Sequence, residues 1–323
     1  MSDNVAIMRT SEQANPSSSL LKILVCYHKP YTLPPLDDGV LLPIHVGKAI
    51  SDLDLHMQAD NEVNGQPCDN ISDKNPSYNE LTAIYWAWKN LKTLYPDTKY
   101  IGLFHYRRFL AFNEQKFLMP DIGKPEEAIT NYRLNAEKII KLLESGKIIL
   151  VKKYELWCTV AAHYCSLHVS DNYRAVKEII SEKFPDYFYA FEDLMERGNK
   201  YSARNMFIMK WEDFERYCEW LFAVLLEFEN RAHYHNYGTY QMRAPAFTAE
   251  RLLNVYVHKH KIRAKHFNVY YYDAEPDTRN PLRKFLSFIN RMMIVCKCNL
   301  AMFILNLSFY KIRRLIKKSP LKH

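Results

Sequence analysis

Short apolar runs alternating with segments of helical period predict an α/β domain, a mostly parallel sheet flanked by helices, followed by a basic, apolar C-terminal helical tail. Two observations carry the α/β class. KILVCYHK (22–29), YIGLFHYRRFL (100–110) and KIILVKK (147–153) are short, apolar runs with the look of buried strands. The stretches between them place apolar residues at helical spacing. A hydrophobic content of 48% and a charged content of 25% are ordinary for a globular chain and exclude global disorder.

Residues 1–19 read as a flexible leader without the apolar core of a signal peptide. KILVCYHK is the first strand, stopped by Pro30. Residues 30–76, rich in Pro, Asp, Asn and Gly, read as a long connection that is either functional or holds short irregular elements. In ELTAIYWAWKNLKTLYP, Leu81, Ile84, Tyr85, Trp88 and Leu91 share a helix face and Pro96 closes the run. Ser77 with Glu80 three residues on fits a capping box. After YIGLFHYRRFL, a helix is predicted over 134–145 and a strand over 147–153, with Gly146 between. Helices near 171–183 and 187–197 precede the strand ARNMFIMK (203–210) and the long amphipathic helix WEDFERYCEWLFAVLLEFE. A further helix begins near Thr248 (TAERLLNVYVHKH), and HFNVYYYD closes the sheet. The domain therefore covers 20–278, with the tail at 279–323.

The formal net charge of +8 is unevenly placed. Residues 281–323 hold 10 Lys/Arg and no acid, leaving 34 basic and 36 acidic groups in 1–280, a net of −2. A near-neutral body argues against a nucleic-acid partner, which would need cations over the folded surface. Only 8 glycines are present, and no G-x-G-x-x-G or Walker sequence, so dinucleotide and P-loop readings fall away. Seven cysteines, odd in number and irregularly spaced, fit a reducing compartment rather than a disulfide frame. Cys158, His163, Cys165 and His168 form the one ligand-rich cluster, but their order matches no common zinc pattern.

Four places carry chemistry. His105, Tyr106, Arg107 and Arg108 close a buried strand, and ligands in open α/β sheets bind outside such strand ends. Adjacent guanidiniums are expected to diverge, one facing a site and one pairing outward. An arginine fork suits phosphate, though a neutralised surface pair reads equally well. His28 and Lys29 leave the first strand at the same edge. Glu80 opens a helix beside Asn79 and the aromatic residues Tyr85, Trp86 and Trp88, where capping is the competing role. Glu250, flanked by Arg243 and Arg251, is placed in a helix's first turn, where the macrodipole favours an ionised carboxylate fit for a general base.

NISDKNPSYNELTAIYWAWKN, YIGLFHYRRFL, NMFIMKWEDFERYCEWLF and YQMRAPAFTAERLLNVYV together resemble bacterial capsular and exopolysaccharide biosynthesis proteins with a glycosyltransferase-like domain. The match runs from about Lys22 to Tyr272. The resemblance implies a GT-A-like fold that transfers a sugar from a nucleotide donor, UDP-galactofuranose in some relatives, onto a lipid-linked surface glycan. Where such folds carry an Asp-x-Asp metal site, this chain has His105-Tyr106-Arg107-Arg108. Metal-independent, cofactor-free transfer is therefore expected, with His28, Lys29, His105, Arg107, Arg108 and Arg243 on the donor diphosphate. By the same resemblance Glu250 is the base of an inverting reaction. Glu80, His168, Asp171, Asn205 and Arg251 hold sugar or acceptor. The chain departs from the family pattern at Cys68, where Gly is expected before Asp69. The competing class is a non-catalytic protein that binds glycan or nucleic acid through FHYRRF.

In the tail the longest uncharged run is 13 residues (298–310), short of the roughly 20 that span a bilayer. Followed by Lys311, Arg313, Arg314, Lys317 and Lys318, it suits an anionic membrane interface. A cytoplasmic enzyme, peripheral on the inner face of the membrane, is expected. Docking of this helix on protein is the alternative.

Overall fold

The computed structural model describes residues 19–31, 39–112, 122–123 and 135–272. The expected leader (save Ser19) and the basic tail lie outside these residues. One nine-stranded sheet organises the domain: β1 Leu21–Tyr27, β2 Leu41–His45, β3 Gln58–Ala59, β4 Tyr100–His105, β5 Arg108–Ala111, β6 Ile122–Gly123, β7 Lys147–Val151, β8 Phe207–Lys210 and β9 Arg263–Tyr272. Its order is β3-β2-β1-β4-β8-β7-β9-β5, with β6 also on β9. The helices are α1 Asn75–Tyr78, α2 Leu81–Leu94, α3 Ala136–Glu144, α4 Val160–Leu167, α5 Ser170–Lys183, α6 Pro185–Glu192, α7 Trp211–Arg231 and α8 Ala244–Lys259.

β1 is buried along its whole length, as an apolar run between two helical layers must be. Its side chains alternate between two cores. Leu24 and Cys26 join the core with α2, α7 and α8, while Ile23, Val25 and Tyr27 join the core with α3 and β5. The half β3-β2-β1-β4 is parallel. β8 then runs antiparallel between β4 and β7, and β5 is antiparallel to β9, so the sheet is mixed. Gly102 permits the approach of β8: a Cβ there would lie 2.9 Å from both Ile208 Cγ1 and the Phe207 carbonyl oxygen. Gly146, at φ 75°, makes the expected break between α3 and β7.

Four sequence expectations are corrected. The capping box does not form: Ser77 lies within α1, Asn79 turns left-handed at φ 49°, and α2 starts after Glu80 without a side-chain cap. The strand expected over 203–210 begins only at Phe207, because Arg204 and Asn205 are both left-handed, at φ 74° and 50°. α8 begins at Ala244, with Pro245 in its first turn, four residues before the expected start. Glu250 is therefore in the second turn, beyond the strongest reach of the macrodipole. Finally, β2 crosses a region read as irregular.

Topology sets where chemistry gathers. β1, β2 and β4 are parallel, so Tyr27, His45 and His105 end at one edge of the sheet. β8 runs the other way, with Phe207 opposite Leu103. Extending that register brings the left-handed Arg204–Asn205 corner to the same edge, across from His105.

Candidate active site

At that edge lies a cavity of about 590 Å³. It is lined by His28 from the exit of β1, Glu80 from the start of α2, and His105, Tyr106, Arg107 and Arg108 from the β4–β5 turn. Arg204, Arg243 and Glu250 complete its charged wall, with Asn75, Asn79 and Thr239 among the neutral lining. Both arginines of the turn line it, against the expected divergence. Arg107 sits in the two-residue turn and Arg108 starts β5, so the chain reverses between them.

Glu250 is held from two sides. Its Oε1 accepts the Arg204 backbone N–H at 3.0 Å, and its Oε2 accepts from Arg251 Nη1 at 2.9 Å. Burial pushes its carboxyl above the ordinary range, Arg251 pulls it back, Glu80 pushes up and the Arg204 amide pulls down; the net direction is upward. The side chain keeps 21% of its surface, so the group is shielded yet reachable. Arg251 is itself 4% exposed, donating also to the Phe247 carbonyl at 2.9 Å and packed against the rings of Tyr164 and Tyr201. It touches the cavity through Glu250.

The other carboxylate, Glu80, accepts from Asn205 Nδ2 at 2.7 Å. Asn205 is 1% exposed and therefore anchors Glu80 from behind. His105 places Nε2 2.9 Å from the Arg204 carbonyl oxygen. A carbonyl only accepts, so Nε2 carries the proton and Nδ1 is the acceptor. Burial dominates its titration and holds His105 toward the neutral form. The Arg204 peptide is thus gripped at its N–H by Glu250 and at its C=O by His105. Such grips keep two non-glycine residues in a sparsely populated conformation. Asn254 adds a third: its side chain exchanges two hydrogen bonds of 2.8 Å with the Ser202 backbone and donates to the Glu250 carbonyl at 2.8 Å.

Positive potential marks the cavity. After burial, Lys29, Arg107 and Arg243 are the causes that lower the His28 pKa. Four arginines face two glutamates across the lining. Cys26 also lines it, but burial pushes its thiol well up, which leaves no thiolate nucleophile there. Buried polar atoms at the site lack protein partners: Asn79 Nδ2, Asn205 Oδ1 and Arg243 Nε.

Seven of the sequence candidates thus meet here: His28, Glu80, His105, Arg107, Arg108, Arg243 and Glu250. Five do not line the cavity. Asn205 and Arg251 stand behind its carboxylates. Lys29 is exposed beside it, over the Tyr106 ring at 5.9 Å. His168 stacks on Phe247 at 4.0 Å, its pKa lowered to about 4 by burial and then by Arg251. Asp171 is exposed and pairs with Arg174 one helical turn on. Among the described residues no three His, Cys, Asp or Glu side chains are grouped as metal ligands, those of the Cys158–His168 stretch included. Sequence reasoning missed Arg204, Asn254 and Ser202. Asn beside Arg in an apolar strand was the available signal, since Asn tolerates the left-handed region better than most residues.

Fold and site together define a mixed α/β protein with an arginine-rich cavity, holding two carboxylates, at the carboxyl edge of its parallel strands. The chain belongs to the family described as "Domain of unknown function (DUF4422)", which it matches over residues 22–261. Its structure is similar to the apo structure of the bifunctional glycosyltransferase WbbM, with a TM-score of 0.69 and 30% identity. The likeness covers 79% of this chain and 45% of that one, so it takes in less than half of the other chain. No curated protein matches it.

Proposed function

We propose that the protein is an inverting hexosyltransferase. It moves a sugar, galactofuranose being one candidate, from a nucleotide donor, UDP-linked, onto a lipid-linked surface polysaccharide. One observation carries the reading: Glu250 shares a 590 Å³ cavity with four arginines, in a fold similar to that of a glycosyltransferase. The unpartnered polar atoms around it are the reserve a ligand site keeps.

In this reading Arg107, Arg108, Arg204 and Arg243, with His28 at the rim, receive the donor diphosphate through charge-assisted hydrogen bonds. Glu250 takes the proton of the acceptor hydroxyl as that oxygen attacks the anomeric carbon from the opposite face. The bond to the diphosphate oxygen breaks, and the electron pair leaves with the nucleoside diphosphate. Charge thus grows where the guanidiniums stand, the arrangement that lowers a barrier most. A carboxylate whose pKa burial raises is a stronger base than an exposed one.

The donor set does not fit a divalent metal. Glu80 and Glu250 are the only carboxylates of the cavity's lining, and among the described residues no three His, Cys, Asp or Glu side chains are grouped as metal ligands. Four nearby cations would repel an added one. No step is therefore routed through a metal, and transfer is metal-independent. Donor hydrolysis and transfer across a panel of UDP-sugars tests the reading: turnover that survives EDTA is expected. Absence of turnover with every donor would favour a binding protein, and loss with EDTA restored by Mn²⁺ would sink the metal-free mechanism.

A further inference from the structure

A second cleft, of about 670 Å³, lies beyond the catalytic cavity along α8 and shares none of its lining residues. Glu250, Asn254, Val257 and His258 follow one another at helical spacing; Glu250 lines the first space, whereas Asn254, clamped to Ser202, lines the second. From Glu250 to Lys259 the helix rises about 13 Å.

Four cations rim this cleft: Lys153 after β7, Lys259 at the end of α8, Lys261 in the following turn and Arg263 at the start of β9. None of the four is paired with a carboxylate among the described residues. The negative end of α8 accounts for Lys259, and Arg263 donates to the Ser145 carbonyl at the end of α3 at 2.7 Å, but neither role accounts for Lys153, which follows β7. The single acidic residue of the lining is Asp186. The floor is apolar, with Leu150, Val257 and Ile262, and Tyr189 stands at the side with 71% of its surface exposed.

We propose that this cleft is a second glycan site, which binds a carboxylate- or phosphate-bearing saccharide stretch of the acceptor away from the reaction. The ligand class rests on the glycosyltransferase reading; the charge and the aromatic wall are independent of it. A saccharide offers both matching features. Its C–H face covers the exposed Tyr189 ring and the apolar floor, and its anionic groups meet cations that no carboxylate of the described residues pairs. Asp186 accepts from sugar hydroxyls. Bound here, a growing chain stays with the enzyme between transfers, which raises the effective concentration of its end at the catalytic cavity.

The test is binding of a fluorescent oligogalacturonate and a neutral oligosaccharide of equal length to the full chain, without donor. The companion is the triple variant Lys153→Gln, Lys259→Gln, Lys261→Asn. Asn suits the left-handed Lys261, at φ 52°, and none of the three touches the catalytic cavity. The acidic ligand is expected to bind more tightly than the neutral one, less so at high salt. The triple variant is expected to lose about tenfold in affinity while keeping its melting temperature and donor hydrolysis. Equal binding of both ligands, no binding, or unchanged affinity in the variant would overturn the proposal. So would displacement by inorganic phosphate as readily as by unlabelled oligogalacturonate, which would reduce the cleft to a general anion site. Donor hydrolysis measured in parallel separates this failure from failure of the transferase reading, since the binding measurement needs no turnover.

Discussion

Glu250 sits between opposed influences, and its activity should display them. Burial raises its pKa, while Arg251 and the Arg204 amide lower it. A base must be ionised, so kcat/KM should rise with pH along a limb lying above the range of an exposed glutamate. Arg251→Gln removes the main opposing charge and is expected to move that limb to higher pH. Glu250→Gln should abolish the limb and cost roughly 10²-fold or more in kcat, the usual worth of a positioned base, with donor binding retained. A Glu250→Gln enzyme with full turnover, or a limb unmoved by Arg251→Gln, would remove Glu250 from the role.

At the scale of elements, the segment 201–205 is held chiefly by α8 through Asn254. Asn254→Ala deletes three hydrogen bonds, two of them buried, and leaves backbone groups of Ser202 unpaired, a loss of about 2–3 kcal/mol. The melting temperature should fall by several degrees, and kcat should fall too, because the Arg204 peptide that orients Glu250 loses its mooring. Unchanged melting would show the clamp to be incidental. The same segment shows what a sequence discloses. β1, β4, β7 and α7 were legible because periodicity and burial agree along them. β2 was not, since Pro43 argues against a strand. The start of α8 was hidden because APAF lacks a capping residue. Residues 203–206 read as strand, and the left-handed corner was invisible because it is imposed from outside, by Glu250, His105 and Asn254. Cavity-lining residues carried by strand ends were therefore readable, whereas those placed by tertiary hydrogen bonds, Arg204 foremost, were not.

For the whole molecule, charge divides between a near-neutral body and ten cations in residues 281–323. No helix among the described residues is long and apolar enough to cross a membrane. The sequence expectation that the basic tail attaches to anionic lipid predicts that the full chain sediments with anionic vesicles and a chain ending at Asp277 does not. Equal sedimentation of both would place the anchor elsewhere. The sheet's closure has its own consequence. Pairings run from β4 through β8, β7, β9 and β5 and return to β4 at His105–Arg108, so these strands leave little backbone open. On the other side β3 offers two residues, and the part of β2 that β3 does not pair carries Pro43, which has no N–H to give. Among the described residues of this sheet a foreign strand finds almost nothing to copy, so edge-to-edge aggregation during synthesis or heating has little template there from which to grow.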